Sequence, residues 1–283
     1  MNIKFILKKA GGICPFILSA IFYPGSVSAS ICPVLIPATE DSCLERTFSY
    51  ICITGTRSDD PVRETADSLK IEQWMAGETI EYSSFKNWGS KKSFLIHPIS
   101  DAIFRRIYGK SYKKDCSVPR EDLRYLTILH YNFNGEIQLG ELICHKNISE
   151  ELICIFKELF ENHYPIEKML LVDAFQADDE KSMRANNTSC FNFRRVSGSN
   201  VLSNHSTGHA IDINPLYNPY VKHRNSRTIF QPQNAQPYIN RSKKFPHKID
   251  KDDLCYKLFK RYGFIWGGEW NSVKDYQHFE KKH

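Results

Sequence analysis

The feature that most constrains the fold of this chain is a pair of β-rich runs that flank Asn134-Gly135, in the segment LRYLTILHYNFNGEIQLGELIC at residues 123–144. An Asn-Gly dipeptide is the strongest short signal for a tight turn between antiparallel strands, because both residues tolerate positive φ angles. Residues 123–144 are therefore predicted to form a β-hairpin. The sheet to which this hairpin belongs is expected to be antiparallel.

Helical patterns occur on both sides of this hairpin without a regular alternation of strand and helix. Residues 100–109 predict a short helix with Ser100 as its N-cap. Residues 147–165 predict the clearest helix, with Asn147 as its N-cap and an apolar stripe along one face. A second amphipathic helix and a buried strand are predicted at residues 252–264 and 166–175. This arrangement predicts an α+β fold in which helices flank a small antiparallel sheet.

The first 29 residues have the composition of a cleavable secretory signal. A short basic segment, residues 1–9, precedes an apolar segment at residues 10–23 that is too short to span a bilayer comfortably. Small residues at Val27 and Ala29 then provide a signal-peptidase pattern. We therefore predict that residues 1–29 are a signal peptide and that the mature protein is exported to the periplasm or cell-wall space without a stable membrane anchor. The alternative is a buried amino-terminal helix.

The charge balance gives little support to nucleic acid as a partner. The whole chain has a formal net charge of +6, and removal of the signal peptide with Lys4, Lys8 and Lys9 lowers it to +3. A protein that is only weakly basic is predicted not to bind nucleic acid. The basic run RSKKFPHKIDK at residues 241–251 is interpreted as a solvated loop.

Cysteine usage agrees with export. Eight of the nine cysteines lie after residue 29, and an even number in an exported chain predicts disulfides. Residues 30–91 carry three of these cysteines and little recognisable pattern. We interpret residues 30–91 as an amino-terminal extension that disulfides help to hold together.

The segment SNHSTGHAIDINP at residues 203–215 combines metal-binding side chains with a strand pattern. In its alternating run the two isoleucines face a core, and Asp212 faces the other side. His205 lies seven residues before Asp212, and Gly208 lets the backbone turn between them, so that the two side chains are able to converge. A neutral imidazole and a carboxylate are both good zinc ligands, but a catalytic site requires a third ligand.

The carboxy-terminal run DYQHFE offers this third ligand. His278 would complete a His-Asp-His set and leave a fourth position open for water, on which Asp275 would act as general base and then as general acid. Zinc would lower the pKa of that water and polarise a scissile carbonyl. Spacing alone leaves other interpretations open. Histidines in loops are most often hydrogen-bonded residues without a metal, and Cys190 is a formal candidate for a cysteine nucleophile, although exported cysteines are more often paired.

Two motifs, in their order along the chain, resemble those of the D-alanyl-D-alanine carboxypeptidase-like zinc peptidases. SNHSTGHAID fits S-x-H-x-x-G-x-A-x-D, and WGGEWNSVKDYQHFE fits a W-G-G-x-W…D-x-x-H-F-E ending. This group is related to lysostaphin-type and hedgehog-type domains and includes carboxypeptidases, vancomycin-resistance dipeptidases and phage L-alanyl-D-glutamate endolysins. The likeness extends over residues 92–283, which the resemblance identifies as a zinc peptidase domain with the zinc site on its small sheet.

The resemblance implies a role for each residue of the site. Three residues of the two motifs are implied to bind one zinc ion per chain: His205, Asp212 and His278. Asp275 is the implied catalytic acid. Arg194, rather than its neighbour Arg195, is implied to face the substrate carbonyl, where a fixed guanidinium stabilises an oxyanion. Ser203 is expected to support the loop of His205, and His209 is interpreted as a surface histidine outside the metal set.

One departure from the family pattern bears on the bond that is cleaved. The chain has Asp275-Tyr-Gln-His278, the form of the L-alanyl-D-glutamate endopeptidases, where the carboxypeptidases and dipeptidases carry glutamate. The resemblance thus implies an exported zinc metallopeptidase that hydrolyses peptide stems of peptidoglycan, with L-Ala-D-Glu endopeptidase activity favoured over D-alanyl-D-alanine carboxypeptidase activity. Cys190 stands where the family has alanine, and a disulfide there, close to Arg194, would either stiffen the pocket wall or restrict it.

The main alternative is a protein of a different class, a non-catalytic cell-wall-binding module that keeps the metal for structure. Hedgehog-type relatives show that such a site need not hydrolyse a substrate. Asp275 and Arg194 favour the enzyme, because a structural zinc ion requires neither. We therefore expect zinc as the cofactor and peptidoglycan peptide stems as the partner.

Overall fold

In the computed structural model, which describes residues 75–196, 200–225 and 227–282, helices and short antiparallel strands follow one another in no regular order. The α-helices of the described residues are α1 (Tyr82–Lys92), α2 (Asp101–Ile107), α3 (Ser149–Glu161), α4 (Asp179–Arg184) and α5 (Leu254–Arg261). Their strands are β1 (Leu95–Pro98), β2 (Leu123–Tyr131), β3 (Ile137–His145), β4 (Ala210–Asp212), β5 (Tyr220–Arg224), β6 (Arg227–Gln231), β7 (Ile265–Trp266), β8 (Lys274–Asp275) and β9 (His278–Glu280). The predicted α+β fold is confirmed. The predicted signal peptide lies outside the described residues.

The predicted hairpin is the centre of the first sheet, whose strand order is β1-β2-β3. Its turn forms because the side-chain oxygen of Asn132 accepts hydrogen bonds from two following backbone amides, both at 2.9 Å, and because Gly135 takes a φ angle of +78°. The backbone amides of Gly77 and Ile80 donate to carbonyls of β3. Part of the predicted extension thus packs onto the predicted peptidase domain, and the bounds of both remain a prediction.

Helix α3 packs on β2 with the apolar stripe that the sequence predicts. Four residues of this stripe are at most 1% exposed: Leu152, Ile155, Phe156 and Leu159. The helix begins at Ser149 and not at Asn147, so the predicted N-cap is wrong. Asn147 instead lies within a 3-10 turn, Lys146–Ile148, where its amide donates to Nδ1 of His145 at 3.2 Å.

The two other predicted helices are confirmed. In α2 the Ser100 hydroxyl accepts a hydrogen bond from the backbone amide of Ile103 at 3.3 Å, as expected of an N-cap. In α5 the Asp253 carboxylate caps the first turn by accepting from the amides of Cys255 and Tyr256. Among the described residues, these helices and the others are too short or too polar to cross a bilayer.

The predicted buried strand at residues 166–175 is not a strand. Four of its apolar side chains are buried: Ile166, Met169, Leu171 and Val172. Its backbone hydrogen bonds to other segments are isolated, and it ends in the 3-10 turn Val172–Phe175. Side-chain amides take the place of a neighbouring strand, since the backbone amide of Leu170 donates to Oδ1 of Asn187 at 2.8 Å. The apolar run therefore indicated burial correctly, but it carried no information about strand pairing.

Residues 241–251 are packed more closely than a solvated loop. The Arg241 guanidinium donates to the carbonyls of Tyr217 at 2.8 Å and Ile249 at 2.7 Å, and it lies 4.3 Å from the centre of the Tyr276 ring. Burial lowers the pKa of Arg241 to about 10. The interpretation of this run as a solvated loop is therefore wrong at Arg241. The guanidinium of this residue packs on Tyr276, which directly follows β8.

Two further three-stranded sheets bring distant parts of the chain together. In the sheet β4-β9-β7, the antiparallel pairing of β4 with β9 sets Asp212 opposite His278. In the sheet β6-β5-β8, the pairing of β5 with β8 sets Tyr220 opposite Asp275. Site residues that are more than sixty positions apart in sequence therefore lie on adjacent strands.

A buried carboxylate joins the first sheet to α2. Glu141 on β3 is 2% exposed, and its two oxygens accept from the Arg106 guanidinium at 2.9 and 2.6 Å. The Tyr125 hydroxyl donates a third bond at 2.8 Å. Because an unpaired charge in the interior is strongly unfavourable, the carboxylate depends on its cationic partner.

We expect Arg106→Ala to lower the free energy of unfolding by about 3 kcal/mol, because the substitution leaves the Glu141 carboxylate buried and unpaired. The double variant R106A/E141Q is expected to recover part of this loss, since a neutral amide costs less to bury than a charge. Urea denaturation at neutral pH measures both variants, with Arg105→Ala as the control that removes the same charge from an exposed position. A double variant no more stable than R106A would contradict the buried-charge explanation.

Candidate metal centre and active-site cleft

The loop that carries His205 is held at both of its ends. The Ser203 hydroxyl accepts a hydrogen bond from the His205 amide at 3.3 Å, at the start of the 3-10 turn Asn204–Thr207. Gly208 ends the turn with a φ angle of +73°, and a Cβ atom there would lie 2.7 Å from the backbone nitrogen of His145. The position therefore requires glycine. The geometry of Ser203 agrees with its expected supporting role.

Three side chains converge into one buried cluster, which we call the metal cluster: His205, Asp212 and His278. They are 4%, 5% and 6% exposed, and each offers one ligand atom, all within 4.8 Å of one another. His205 Nε2 lies 3.3 Å from Asp212 Oδ2 and 3.2 Å from His278 Nδ1. His278 Nδ1 lies 3.1 Å from Asp212 Oδ1.

These separations match the geometry of a zinc site. Zinc binds imidazole nitrogen and carboxylate oxygen at about 2.0–2.2 Å, and tetrahedral angles then set neighbouring ligand atoms roughly 3.3 Å apart. Two neutral imidazoles and one carboxylate are also a donor set that zinc accepts, with the fourth position left for water or substrate. The residues of the metal cluster therefore fit one zinc ion.

Each histidine of the metal cluster has its outer ring nitrogen fixed by a hydrogen bond. His205 Nδ1 lies 2.6 Å from the carbonyl oxygen of Cys190, and His278 Nε2 lies 3.0 Å from Oε2 of Glu280. An outer N–H that donates to an oxygen leaves the lone pair of the other nitrogen for a metal. Glu280 was not predicted as a site residue, although it is the last residue of the D-x-x-H-F-E motif.

Burial and mutual contact shift the pKa values of the metal cluster in opposite directions. Burial alone would raise the pKa of the Asp212 carboxyl, but the neighbouring His205 and His278 hold this pKa far below its ordinary value. For His278, burial alone would lower the pKa, yet hydrogen bonds to Asp212 and Glu280 raise it to about 10. Without a metal the cluster is thus a carboxylate paired with a histidinium, and metal binding is expected to release a proton.

Asp275 ends β8 on the wall of the same cleft. Gly267 allows a close approach here, since a Cβ atom on it would lie 2.6 Å from the Asp275 carbonyl oxygen. The Gln277 side-chain amide donates to Asp275 Oδ1 at 3.1 Å. Burial, together with the negative charge of Asp212, raises the pKa of Asp275 from 3.8 to about 7. A carboxyl group with such a pKa is able to take up and return a proton near neutral pH.

The raised pKa of Asp275 predicts how the stability of the metal-free protein depends on pH. Between 3.8 and about 7 the folded state holds the Asp275 proton and the unfolded state does not, so the stabilising contribution of this group is lost as the pH rises through that interval. Metal-free Asp275→Asn is therefore expected to unfold at a higher urea concentration than the wild type at about pH 8, with a smaller difference at about pH 4. A difference that is equal at both pH values would contradict this expectation.

Arg194 lines the cleft with its guanidinium paired to an acid of α4. Its Nη2 lies 2.5 Å from Oδ2 of Asp179, and the two side chains are 24% and 29% exposed. The Arg194 amide donates to the Ser206 hydroxyl at 2.9 Å, which fixes the backbone beside the loop of the metal cluster. Arg195 also lines the cleft, but it is exposed. The predicted arginine thus lies in the cleft, where it is held by Asp179, a residue that was not predicted from the sequence.

The metal cluster, Asp275 and Arg194 share one cleft of about 550 Å³. The Trp270 ring forms part of its lining and packs on the His278 ring, with 5.2 Å between ring centroids. An acidic rim at the start of α4, residues 178–180, and residues of β5 and β6 complete the lining. The cleft therefore offers a metal cluster, a carboxyl group and an arginine to one bound molecule.

Two residues near the metal cluster have surroundings that differ from the predicted ones. His209 is 4% exposed and stacks on the His145 ring at 4.2 Å between centroids, so its interpretation as a surface histidine is wrong. Cys190 carries a free thiol, so the predicted disulfide at this position is wrong. Burial raises the pKa of the Cys190 thiol well above its ordinary value. A buried neutral thiol is a poor nucleophile, which argues against the cysteine-protease alternative.

Six of the remaining cysteines fall into two groups. Free thiols are also present at Cys116, Cys144 and Cys255. The three cysteines of the predicted extension, at positions 32, 43 and 52, lie outside the described residues. Disulfides within the predicted extension therefore remain a prediction.

Residues 197–281 match the family model described as D-alanyl-D-alanine carboxypeptidase. The matched segment contains the whole metal cluster and Asp275, and Arg194 lies just before it. The family resemblance predicted from the sequence is confirmed by this match over residues 197–281. Comparison with curated proteins and with solved structures found no match. The roles of the individual site residues remain predictions.

We expect Glu280→Gln to weaken zinc binding by about 10- to 100-fold, because the outer nitrogen of His278 would lose the carboxylate that orients it. Glu280 is well placed for this role, since its side chain is 14% exposed and also accepts a hydrogen bond from Asn204. Competition with a fluorescent zinc chelator measures the affinity, and Glu161→Gln, at an exposed position, serves as the control. Equal zinc affinity in E280Q and the wild type would exclude this role for Glu280.

Proposed function

We propose that this chain is an exported zinc metallopeptidase that hydrolyses peptide stems of peptidoglycan. The observation that carries the proposal is the buried His-Asp-His cluster, which shares one cleft with Asp275 inside the segment that matches the carboxypeptidase family. A metal cluster next to a carboxyl group of raised pKa suits the hydrolysis of an amide bond.

Each residue has a separate task in the proposed reaction. The metal cluster would hold the zinc ion, which when bound polarises a carbonyl and makes water more acidic. Asp275 accepts the proton of the attacking water and later donates it to the leaving amine. Arg194 stabilises the negative charge that develops on the carbonyl oxygen.

The partial exposure of the Arg194 guanidinium supports this role. The side chain lines the cleft and is 24% exposed, while its Nη2 is paired with Asp179. Asp179 would therefore hold the guanidinium while an accessible N–H group donates a hydrogen bond to a substrate carbonyl oxygen.

Export of this enzyme to the periplasm or cell-wall space is supported by the predicted signal peptide at residues 1–29. The cleaved bond is proposed from the Asp275-Tyr-Gln-His278 motif, which favours L-Ala-D-Glu endopeptidase activity over D-alanyl-D-alanine carboxypeptidase activity. Peptidoglycan is found outside the cytoplasmic membrane, so the proposed location and the proposed substrate agree.

The test is digestion of purified sacculi, followed by mass spectrometry of the released fragments. Stems released at L-Ala-D-Glu are expected, and loss of the terminal D-Ala would instead identify a carboxypeptidase. Removal of the metal with a chelator should abolish release, and added zinc should restore it. Zinc-dependent binding to sacculi without any release would contradict the proposal and favour the non-catalytic wall-binding module.

A further inference from the structure

One wall of the cleft is a face of the hairpin formed by β5 and β6. Val221 on β5 is 4% exposed and points into the protein, so its neighbours Tyr220 and Lys222 face the other way, into the cleft. Opposite them on β6 stand Gln231 and Ile229, which also line the cleft. Strand alternation and register thus produce a continuous wall of four side chains.

Three cations line the cleft, Arg194, Arg195 and Lys222, and they differ in their partners. Arg195 is exposed and donates to the carbonyl oxygen of Asn200. Arg194 is already paired with Asp179. Lys222 is half-buried and makes no ion pair with any residue that the structure describes. Its ammonium group is therefore available to a bound molecule.

The many acidic groups of the cleft favour such a cation for an anionic substrate. The lining includes six carboxyl groups: Asp178, Asp179, Glu180, Asp212, Asp275 and Glu280. A substrate that carries a carboxylate is repelled by this surface unless a positive group faces that carboxylate. Lys222 provides such a group.

The position of Lys222 sets the distance between the bound carboxylate and the reacting bond. Tyr220 lies opposite Asp275 in the strand register, and Lys222 follows two residues later on the same face of β5. Two residues of strand advance the chain by about 6.6 Å. A carboxylate at Lys222 therefore lies within about two residues of the scissile bond of an extended peptide.

We propose that Lys222 is a specificity-determining residue that binds a free carboxylate of the substrate peptide, while Ile229 contacts the neighbouring apolar part. This inference rests on the proposed function. Ile229 is 47% exposed in the free protein, so contact with a substrate methyl or methylene group would remove apolar surface from water. In a peptide stem the carboxylate is either the α-carboxylate of D-Glu or the C-terminal carboxylate, and both present the same chemistry to an ammonium group.

The test compares three synthetic pentapeptides of sequence L-Ala-γ-D-Glu-L-Lys-D-Ala-D-Ala. One has both carboxylates free, one carries the D-Glu α-carboxyl as an amide, and one carries the C-terminal carboxyl as an amide. Amidation of the carboxylate that binds Lys222 is expected to lower the kcat/KM of the wild-type protein about 10-fold, since a charge-assisted hydrogen bond is lost. The peptide that shows this loss identifies the carboxylate.

Variants then assign the preference to Lys222. Lys222→Met is expected to cleave the free and amidated peptides equally, Lys222→Arg to keep the preference, and Lys243→Met, at an exposed position outside the cleft lining, to behave as the wild type. Equal cleavage of all three peptides by the wild type, or an unchanged preference in K222M, would overturn the role of Lys222 and leave the proposed function intact. No cleavage of any peptide or of sacculi would overturn the proposed function and this inference with it.

Discussion

Asp275→Asn is expected to lower kcat by about 10²- to 10⁴-fold while the zinc content stays at about one ion per chain. Asparagine has nearly the same shape as aspartate, but it cannot accept the proton of the attacking water. Asp275 is not one of the three residues of the metal cluster, so their ligand atoms remain in place. The loss should therefore fall on turnover and not on metal binding.

Two measurements on the same preparation separate these effects. Atomic absorption gives zinc per chain, and the release of fragments from sacculi gives the rate. Asp115→Asn is the matched control, because it removes a carboxylate at an exposed position remote from the cleft lining. Full activity of D275N with normal zinc content would exclude Asp275 as the general base and acid.

The ligands of the metal cluster were predictable from sequence because two short motifs contain them. Strand alternation alone sets Asp212 on the face opposite to the core isoleucines, and this part of the prediction needed no structure. The pairing of β4 with β9 was not predictable from local pattern, because the two strands are three residues each and far apart in the chain. Residue types alone offered His278 as a candidate third ligand, and the family resemblance assigned it to the same site as His205.

The residues that orient the site were missed for a different reason. Asp179 and Glu280 are single acids of a common type, and a charged residue near the start of a helix or in a strand has no distinctive sequence signal. What identifies them is proximity: Asp179 lies 2.5 Å from the Arg194 guanidinium, and Glu280 lies 3.0 Å from His278. Ion pairs of this kind become visible only when the fold has placed both side chains.

The burial of side chains was predicted better than the pairing of their segments with neighbouring strands. Four apolar side chains of the run at residues 166–175 are buried, as its composition indicates, but Asn187 satisfies a backbone amide that a neighbouring strand would otherwise satisfy. His209 shows the opposite error, since a polar ring in a loop motif is buried by stacking on His145. Both errors arise because local pattern carries no information about which distant side chain fills a given space.

His278→Ala is expected to reduce zinc binding to below stoichiometric levels and to abolish peptidase activity. The substitution leaves His205 and Asp212 as the remaining residues of the metal cluster, and two protein ligands do not hold a catalytic zinc ion. It also removes the partner of Glu280, so the metal-free protein loses a buried ion pair in addition to the metal site. A lower stability of H278A therefore does not by itself show that the variant has lost the metal.

The difference between the Tm with zinc and the Tm without zinc separates the effect of metal binding from the effect of the lost ion pair. A ligand that binds only the folded state raises stability by an amount that grows with its concentration over its Kd, so the wild type should show a Tm that rises with added zinc. H278A should show no such rise. His209→Gln is the matched control, because His209 is also buried but lies outside the metal cluster, and it should keep both the zinc-dependent Tm and the activity.

The two variants together distinguish an enzyme from a wall-binding module that uses zinc for structure. In the enzyme, H278A loses metal and turnover, whereas D275N loses turnover alone, because the site divides metal binding from proton transfer between different residues. In a structural zinc module, H278A would lose metal and sacculus binding, whereas D275N would change neither. Loss of the zinc-dependent Tm in H209Q but not in H278A would instead show that a different histidine completes the site.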